Sequence, residues 1–212
     1  MNLIIIASTT VSAPDAAFTD LILQNLIVAS VLCPPVLSSG ISGGSMDLKI
    51  KEATVEDIAV LSALGKTTYL SHFAHYWHSQ QAMLAWLEEE YSVSTLTASL
   101  NDPDVRWLLA ITDKPIGFAK YTWQQQPAEP GTLLNKLYFT QAATGHGFGQ
   151  LLFTEVLTRA KASGSRYFCL EVLQGNERAR RFYEAQGMRH LRDDVFSTPD
   201  QTSVLHVYGM AI

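Results

Sequence analysis

The chain has 212 residues, of which 47% are hydrophobic and 17% charged, and this is the composition of a globular domain rather than a disordered segment. Its formal net charge of −5 at pH 7 argues against a surface that binds duplex nucleic acid and favours a cationic small molecule or a basic peptide. Its two cysteines, Cys33 and Cys169, form neither a disulfide framework nor a zinc-binding spacing, so we expect a protein of the reducing cytoplasm.

The first 45 residues differ from the rest, because they contain no lysine or arginine and are rich in apolar, serine and threonine residues. Asp15 and Asp20 interrupt the apolar stretches, so no run reaches the roughly 18 residues that a membrane-spanning helix needs. We expect residues 1–45 to be a non-domain extension, either disordered or the product of a mis-assigned start, and the domain to span 46–212. A weak targeting segment and an added structural element are the alternatives.

The remainder of the chain alternates strand and helix patterns. Apolar residues at every second position predict strands, and apolar residues three and four apart predict helices. In chain order the predicted elements are a strand over 48–52, helices over 54–71, 79–91 and 94–100, strands over 107–112, 116–123 and 133–139, a helix from the glycine cluster to 163, a strand over 167–173, a helix over 176–185 and strands over 188–196 and 204–210. This order predicts a mixed sheet with helices on its faces.

A glycine-rich turn, TGHGFGQLL at residues 144–152, joins a predicted strand to a predicted helix. The unpaired N–H groups and the dipole at a helix N-terminus favour anions, so a phosphate group is a candidate ligand. A nucleoside-triphosphate loop needs Gly-Lys followed by Ser or Thr, and a dinucleotide fold needs GxGxxG after its first strand, so neither pattern fits. The pyrophosphate of coenzyme A and a tight turn without a ligand are the two remaining interpretations.

A second stretch, NERARRFYEAQGM, begins at Asn176. Asn176 and Tyr183 are seven residues apart, so they share one face of a helix. The simpler interpretation is an amphipathic surface helix that begins with an Asn cap and ends at a glycine. With LNKLYF before the glycine turn and YFCLEV between the two stretches, the order of motifs resembles the GCN5-related N-acetyltransferase (GNAT) superfamily.

This resemblance covers residues 46–212 in the order of elements and about 133–188 in motif. It implies an α/β (α+β type) domain with a mixed, mostly antiparallel sheet of about seven strands and helices on both faces. It also implies an N-acetyltransferase that uses acetyl-CoA. One departure is Thr144, which stands where the family usually has Gln or Arg, so a side-chain contact to the phosphates is lost while the backbone donors remain.

The resemblance assigns roles to residues of this chain. The backbone of Leu137, Tyr138 and Phe139 is expected to pair with the pantetheine arm of acetyl-CoA. Asn176 is expected to contact the pantetheine or the substrate, and Tyr183 to be the general acid that returns a proton to the coenzyme A thiolate. The pyrophosphate is expected on the glycine turn, at Thr144, Gly145, Gly147, Phe148, Gly149 and Gln150.

The acceptor amine needs a base. An amine with a pKa near 10.4 is only about one part in 2,500 neutral at pH 7, and it must lose a proton before it attacks the thioester. The candidate bases are Glu171, on a later strand, and Tyr138 acting through a water molecule. Glu171 could equally be a solvated edge residue or a carboxylate that binds the substrate.

Three histidines recur at every third position in HFAHYWH, at residues 72, 75 and 78. Carboxylates and a partner motif are missing from this stretch, so we expect no metal site there. We expect instead either a substrate-lining loop or plain packing by Phe73, Tyr76 and Trp77. The acidic run at residues 88–90 is expected to be a solvated helix face, with a role in attracting polyamines as the alternative.

The acceptor is the part of the function that the sequence defines least. The N-terminal half of the domain is somewhat similar to spermidine and diamine acetyltransferases, so a small amine or a polyamine is the favoured substrate. A protein N-acetyltransferase acting on a peptide α-amine or lysine, and a non-catalytic acyl-CoA-binding module, are the alternatives. We expect neither a nucleic acid nor a membrane as partner, and we leave open whether the chain forms a homodimer.

Overall fold

A computed structural model describes residues 47–124, 130–197 and 201–212 of the chain. The predicted extension at residues 1–45, together with Met46 and most of the polar loop at 124–131, lies outside the described residues. The strands are β1 (Lys49–Glu52), β2 (Val105–Ile111), β3 (Pro115–Gln124), β4 (Gly131–Phe139), β5 (Tyr167–Leu173), β6 (Arg189–Ser197) and β7 (Thr202–Ala211). The α-helices are α1 (Ile58–Phe73), α2 (Gln80–Glu90), α3 (Val93–Asn101), α4 (Phe148–Ala162) and α5 (Glu177–Ala185).

The strands form one sheet in the order β1-β2-β3-β4-β5-β7-β6. Every neighbouring pair is antiparallel except β4 and β5, which run parallel and are joined by the crossover helix α4. A parallel pair needs such a crossover because its strands cannot be joined by a tight hairpin. The predicted mixed, mostly antiparallel sheet of about seven strands is therefore confirmed.

The parallel pair separates along its length. β4 and β5 are in register only at Gly131–Tyr167, Thr132–Phe168 and Leu133–Cys169. β5 continues to pair with β7 up to Leu173, whereas β4 pairs with β3 alone beyond Leu133. The C-terminal halves of β4 and β5 therefore diverge, and a gap opens in the middle of the sheet.

A bulge in β4 decides which side chains lie on which face of the sheet. Tyr121 of β3 pairs with Leu134 and Lys120 pairs with Lys136, so Asn135 is an extra residue in β4. Because side chains alternate along a strand, the extra residue reverses the alternation beyond it. Thr132 consequently lies on the opposite face from residues 136 and 138.

The helices cover both faces of the sheet. Phe153 of α4 packs on Phe168 of β5 with ring centroids 5.6 Å apart, so α4 lies on the face of Phe168, which we call the α4–α5 face. Phe73 of α1 packs on Tyr138 of β4 with centroids 6.2 Å apart, so α1 lies on the other face, which we call the α1–α3 face. The two faces meet at the gap between β4 and β5.

Local signals in the sequence explain where most helices begin. Thr54 and Asp57 form the predicted capping box, which starts a short 3₁₀ turn that runs directly into α1. Ser79, Ser92 and Asn176 each accept a hydrogen bond from a backbone N–H in the first turn of α2, α3 and α5. The starts of α2, α3 and α5 were therefore predicted to within one residue, because the capping chemistry is local, whereas α1 itself begins four residues after its predicted start because the 3₁₀ turn precedes it.

Candidate active site

The edge of β4 beyond Leu133 presents backbone groups to the gap. The N–H of Thr140 donates to the carbonyl of Ile116, 2.8 Å away, and so points towards β3. Peptide groups alternate in direction along a strand, so those of residue 138 also point to β3 and those of residues 137 and 139 point to the gap. Leu137 and Phe139 therefore offer their backbone to a ligand, whereas Tyr138 offers only its side chain.

His72 lies near this edge, and its sequence context predicted no specific role for it. Its Nε2 lies 3.0 Å from the carbonyl oxygen of Phe139, and a carbonyl only accepts, so Nε2 carries the proton. Burial lowers the pKa of His72, which favours the neutral ring. The bond ties the last turn of α1 to the end of β4, and the HFAHYWH stretch contained no signal for such a distant backbone partner.

The glycine turn adopts a conformation that only glycine takes readily. Gly145 and Gly147 have φ values of 89° and 77°, in the left-handed region. A Cβ atom added at either position would meet no other atom within 4 Å. The backbone is therefore approachable at these two residues, which is the arrangement that a phosphate group needs next to a helix N-terminus.

The internal hydrogen bonds of the turn narrow the set of available donors. The N–H of Thr144 donates to Gln141, and the N–H of Gln150 donates to the carbonyl of Gly147 at 3.0 Å. Phe148 and Gly149 occupy the first turn of α4, where a helix has no carbonyl to offer to its N–H groups. The turn from residue 145 to residue 149 is therefore the part of the predicted site best suited to bind an anion.

Tyr183 of α5 is buried on the α4–α5 face. Its side chain is 0% exposed, and its ring packs on Phe153 and Phe182 with centroids 5.8 Å and 5.1 Å apart. Within the described residues its hydroxyl has no hydrogen-bond partner. Burial raises the pKa of Tyr183 well above that of an ordinary tyrosine, so the hydroxyl keeps its proton. Asn176 caps the same helix through the N–H of Ala179, at 3.3 Å.

Glu171 of β5 lies on the opposite side of the sheet from Tyr183. Phe168 faces α4, so by alternation Cys169 and Glu171 face the α1–α3 side. Glu171 is 0% exposed, which excludes the solvated edge residue considered from the sequence. Burial, and then the charge of Glu171, raise the pKa of the Cys169 thiol to about 12, so this cysteine is an unreactive core residue.

The connection between α1 and α2 crosses the end of the gap on the α1–α3 side. The hydroxyl of Tyr76 donates to the carbonyl of Gly175, just after β5, at 3.4 Å. The backbone N–H of His78 donates to the side chain of Gln201, before β7, at 3.2 Å. Phe73 and Tyr76 have ring centroids 6.3 Å apart, and Phe73 also packs on Tyr138, so a group of aromatic rings lies between β4 and the residues that follow β5.

A buried ion pair supports the same side. Lys136 of β4 and Glu90 at the end of α2 are 0% and 5% exposed, and the Lys136 ammonium donates to a Glu90 carboxylate oxygen. Burial lowers the pKa of Lys136 to about 7, and Glu90 counteracts part of that shift. The ammonium also lies 4.7 Å from the centroid of the Tyr91 ring and 5.3 Å from that of Trp107.

The expectation of a solvated face at residues 88–90 was thus wrong for Glu90. Glu88 and Glu89 are exposed, and Glu88 pairs with Lys66 on the surface, 2.7 Å away. The last turn of α2 directs Glu90 inward instead, where Lys136 supplies the opposite charge. A sequence shows the three glutamates as equivalent, because only the packing of α2 on the sheet distinguishes them.

A comparison with protein families agrees with this geometry. The family model described as the acetyltransferase (GNAT) family matches residues 71–188, which is more than half of the chain. The chain belongs to the GNAT acetyltransferase family. The enzyme class predicted from the sequence, an N-acetyltransferase that uses acetyl-CoA as acyl donor, is therefore confirmed. The matched segment of this GNAT chain runs from the last turn of α1 to the residue before β6 and so includes the gap, the glycine turn and α5.

Solved structures share the fold at low sequence identity. The PaiA N-acetyltransferase from Thermoplasma acidophilum, solved with coenzyme A, is 20% identical with a TM-score of 0.64, and the match covers 79% of this chain and 100% of that one. A probable acetyltransferase from Staphylococcus epidermidis is 13% identical with a TM-score of 0.65, covering 78% and 99% of the two chains. Arabidopsis thaliana NAA60, solved with a bisubstrate analogue, is 13% identical with a TM-score of 0.57, covering 78% and 98%. None of the curated proteins matches the chain.

Proposed function

We propose that this GNAT domain transfers the acetyl group of acetyl-CoA to a small primary amine, with the thioester held in the gap between β4 and β5. The amine attacks directly while both substrates are bound, with Tyr183 as general acid and Glu171 as the group that receives the proton of the amine. The resemblance to spermidine and diamine acetyltransferases makes a polyamine the first choice of substrate.

The observation that carries this proposal is the buried hydroxyl of Tyr183. A buried hydroxyl without a partner costs about 1–3 kcal/mol, so a partner supplied by a ligand explains why the residue is a tyrosine rather than a phenylalanine. The thiol of coenzyme A has a pKa near 8.5, so its thiolate is a weaker base than tyrosinate. The phenol of Tyr183 therefore assists by donating its proton as negative charge develops on the departing sulfur. The raised pKa of Tyr183 keeps that proton available.

The donor would be bound mostly by backbone groups. The peptide groups of Leu137 and the N–H of Phe139, whose carbonyl already accepts from His72, suit the amide groups of the pantetheine arm, which would extend the sheet as a further strand does. One N–H of this edge also suits the oxygen of the thioester as negative charge develops on it. The turn from residue 145 to residue 149 suits the pyrophosphate, with Thr144 and Gln150 at its two ends. Asn176 would contact the pantetheine or the substrate.

The acceptor would approach from the α1–α3 side. Glu171 is buried on that face, opposite the face of Tyr183, so proton removal from the amine and proton donation to the thiolate take place on two sides of the sheet. A carboxylate in this position can also hold a cationic amine before it loses its proton. Tyr138, on the same face, is the alternative route for the proton through a water molecule.

A small amine fits the acceptor side better than a peptide. The last turn of α1 is attached to the carbonyl of Phe139, and the α1–α2 connection that follows is attached to Gly175 and to Gln201. A peptide substrate needs an open groove for several residues, and this connection closes one side of such a groove. The aromatic rings of Phe73 and Tyr76 suit the methylene chain and the charge of a short alkylamine.

A cytoplasmic location is part of the proposal. None of the helices in residues 47–124, 130–197 and 201–212 has the length and apolar content that crossing a bilayer requires. Cys169 is a buried thiol in the described part of the chain, which suits a reducing compartment. The metabolite amines and acetyl-CoA on which the reaction depends also suit the cytoplasm.

Turnover across a panel of amines tests the proposal. The full chain is incubated with acetyl-CoA and with polyamines, short diamines, monoamines or peptides, and the release of free thiol is measured. We expect turnover with small amines and little with peptides. Preferential turnover of peptides would identify a protein N-acetyltransferase, and coenzyme A binding without turnover of any amine would identify a binding module; either result would refute the proposal.

A further inference from the structure

Two histidines and an aspartate converge on the surface of the outer strands, away from the gap. His190 Nε2 lies 2.7 Å and His206 Nδ1 lies 2.5 Å from the same oxygen of Asp193. These ligand atoms all lie within 4.8 Å of one another, and within the described residues no other group of three His, Cys, Asp or Glu side chains converges in this way. The sequence did not suggest this cluster, because its members lie on two strands and in no familiar motif.

A bulge in β6 brings the three side chains together. His190 pairs with Tyr208 and Asp193 pairs with His206, while Leu191 has no partner in β7. Residues three apart on a regular strand point to opposite faces, so His190 and Asp193 share a face only because Leu191 is the extra residue. The irregularity thus aims both side chains at His206, and bulges are typically found where a side chain must be redirected.

We propose that His190, Asp193 and His206 bind a divalent first-row transition metal ion, of which zinc is the best match. Imidazole nitrogen and carboxylate oxygen are ligands of zinc, and three protein ligands leave a fourth position for water. Tetrahedral bonds of about 2.0–2.1 Å hold neighbouring ligand atoms about 3.3–3.4 Å apart. Each histidine nitrogen therefore needs to move away from the Asp193 oxygen by less than about 1 Å, and the two nitrogens, now within 4.8 Å of each other, need to reach the same separation. His190 and Asp193 are 45% and 52% exposed, so they are free to move.

The hydrogen bonds within the cluster show which ring nitrogens must lose their protons before they can bind a metal ion. The Asp193 carboxylate only accepts, so His190 carries its proton on Nε2 and His206 carries its proton on Nδ1. Metal binding moves each neutral ring to its other tautomer and frees the two nitrogens that now point to Asp193. The carboxylate of Asp193, which accepts from both rings, is the anionic ligand of the three.

The surroundings of the cluster are compatible with a bound cation. Tyr208, between the two histidines on the same face, donates its hydroxyl to Glu184 of α5 at 2.8 Å. The His190 and Tyr208 rings lie 5.7 Å apart. The nearby Arg192 pairs with Asp194 on the opposite face of β6, at 2.8 Å, so its charge does not oppose the ion directly.

The site is structural rather than catalytic. His206 pairs with Val172 of β5, and Glu171, the preceding residue of β5, faces the acceptor side. The cluster therefore lies on the opposite face of the sheet. It is carried by β7 and β6, the two strands beyond β5, which forms one edge of the gap. A metal ion there links β6, the last strand of the sheet, to β7. Such a link stabilises the edge by the free energy of binding to the folded state alone.

Zinc titration of the full chain tests the proposal. The protein is freed of metal with a chelator, dialysed and titrated with zinc chloride by calorimetry, and its melting temperature is measured with and without zinc. We expect one zinc ion per chain and a higher melting temperature with zinc. His206→Gln and His190→Gln should each weaken binding by at least about tenfold, whereas His75→Gln, which removes an exposed histidine elsewhere, should leave it unchanged.

Substitution with cobalt identifies the ligands. Cobalt bound by histidine and carboxylate gives visible ligand-field bands without the charge-transfer band of a thiolate, so a thiolate band would assign the ion to a cysteine instead and overturn the proposal. Absence of zinc binding, or equal binding by both ligand variants and the native chain, would overturn it as well. Should His206→Gln prove unfolded by circular dichroism, the more exposed His190→Gln decides the question.

Discussion

The two sides of the gap are built in different ways. The proposed donor side consists of the edge of β4 that faces the gap, the glycine turn and α5, and most of what it offers to a ligand is backbone. The acceptor side consists of side chains from α1, from the α1–α2 connection and from β5. The donor side lies within residues 133–188 and was recognisable from motifs, whereas the acceptor side is assembled from segments about 100 residues apart. Backbone recognition thus leaves a pattern of glycines and caps in the sequence, and side-chain recognition does not.

The largest expected effect removes one atom from the donor side. Tyr183→Phe should lower kcat by roughly 10²–10⁴, the usual contribution of a general acid. The KM for acetyl-CoA should change little, because the ring remains. Stability should rise by up to about 1 kcal/mol, because a buried hydroxyl without a partner is replaced by an apolar edge. Steady-state kinetics and thermal unfolding of the same variant measure the two effects.

Tyr167→Phe is the matched control, since Tyr167 is a half-exposed tyrosine at the start of β5, and it should leave both constants unchanged. The raised pKa of Tyr183 adds a pH prediction. Activity should rise with pH as the amine loses its proton, without a loss from tyrosine ionisation up to about pH 10. A Tyr183→Phe enzyme with native kcat would remove the general acid from the mechanism.

The second largest effect removes the support of the acceptor side. Lys136→Met leaves the Glu90 carboxylate buried without its partner, and we expect a loss of about 3–5 kcal/mol in the free energy of unfolding. Lys136→Met combined with Glu90→Leu should recover most of that loss. Lys66→Met, which breaks the surface pair with Glu88, should cost less than about 1 kcal/mol. Urea denaturation of the four proteins measures these differences.

The same ion pair predicts a dependence of stability on pH. The pKa of Lys136 is about 7 in the folded protein and near 10.5 when unfolded, so between these values the unfolded chain binds more protons. Stability should therefore rise with pH across that interval, by up to about 1.4 kcal/mol per pH unit from this group. Lys120, whose pKa burial also lowers, contributes with the same sign. If the variant that combines Lys136→Met with Glu90→Leu shows the native dependence of unfolding free energy on pH, Lys136 is not the group that causes this dependence.

A smaller effect, on the affinity for coenzyme A, tests whether the glycine turn binds the cofactor or is an ordinary turn. Gly147→Val puts a branched side chain into open space beside the turn and strains a φ of 77°, so coenzyme A affinity should fall at least about tenfold, or 1.4 kcal/mol. Gly164→Val is the matched control, because Gly164 also has a positive φ of 84° and open space but lies at the other end of α4. Calorimetry with coenzyme A should show normal affinity for that control. If Gly147→Val and Gly164→Val bind coenzyme A with the same affinity, the glycine turn only connects β4 to α4 and does not bind the cofactor.

The smallest expected effect concerns residues 1–45, which belong to neither side of the gap. A chain that begins at Met46 should keep the melting temperature and the activity of the full chain. A melting temperature lower by several degrees would show that residues 1–45 pack on the domain.

The sequence by itself determined the elements and the donor side. Caps such as Thr54 and Asn176, the positive-φ glycines and the spacing of apolar residues act within a few positions, so the order of strands and helices, the glycine turn and the place of Tyr183 followed from local patterns.

Only the tertiary structure decided which side chains meet. Two bulges, at Asn135 and at Leu191, reverse the alternation of β4 and β6, and a single extra residue moves every later side chain to the other face. The burial of Glu90 against Lys136, the contact of His72 with the end of β4 and the convergence of His190 with His206 all depend on packing between distant segments. Such contacts produce no regular pattern in the sequence, because each joins residues that are far apart along the chain and meet only after folding.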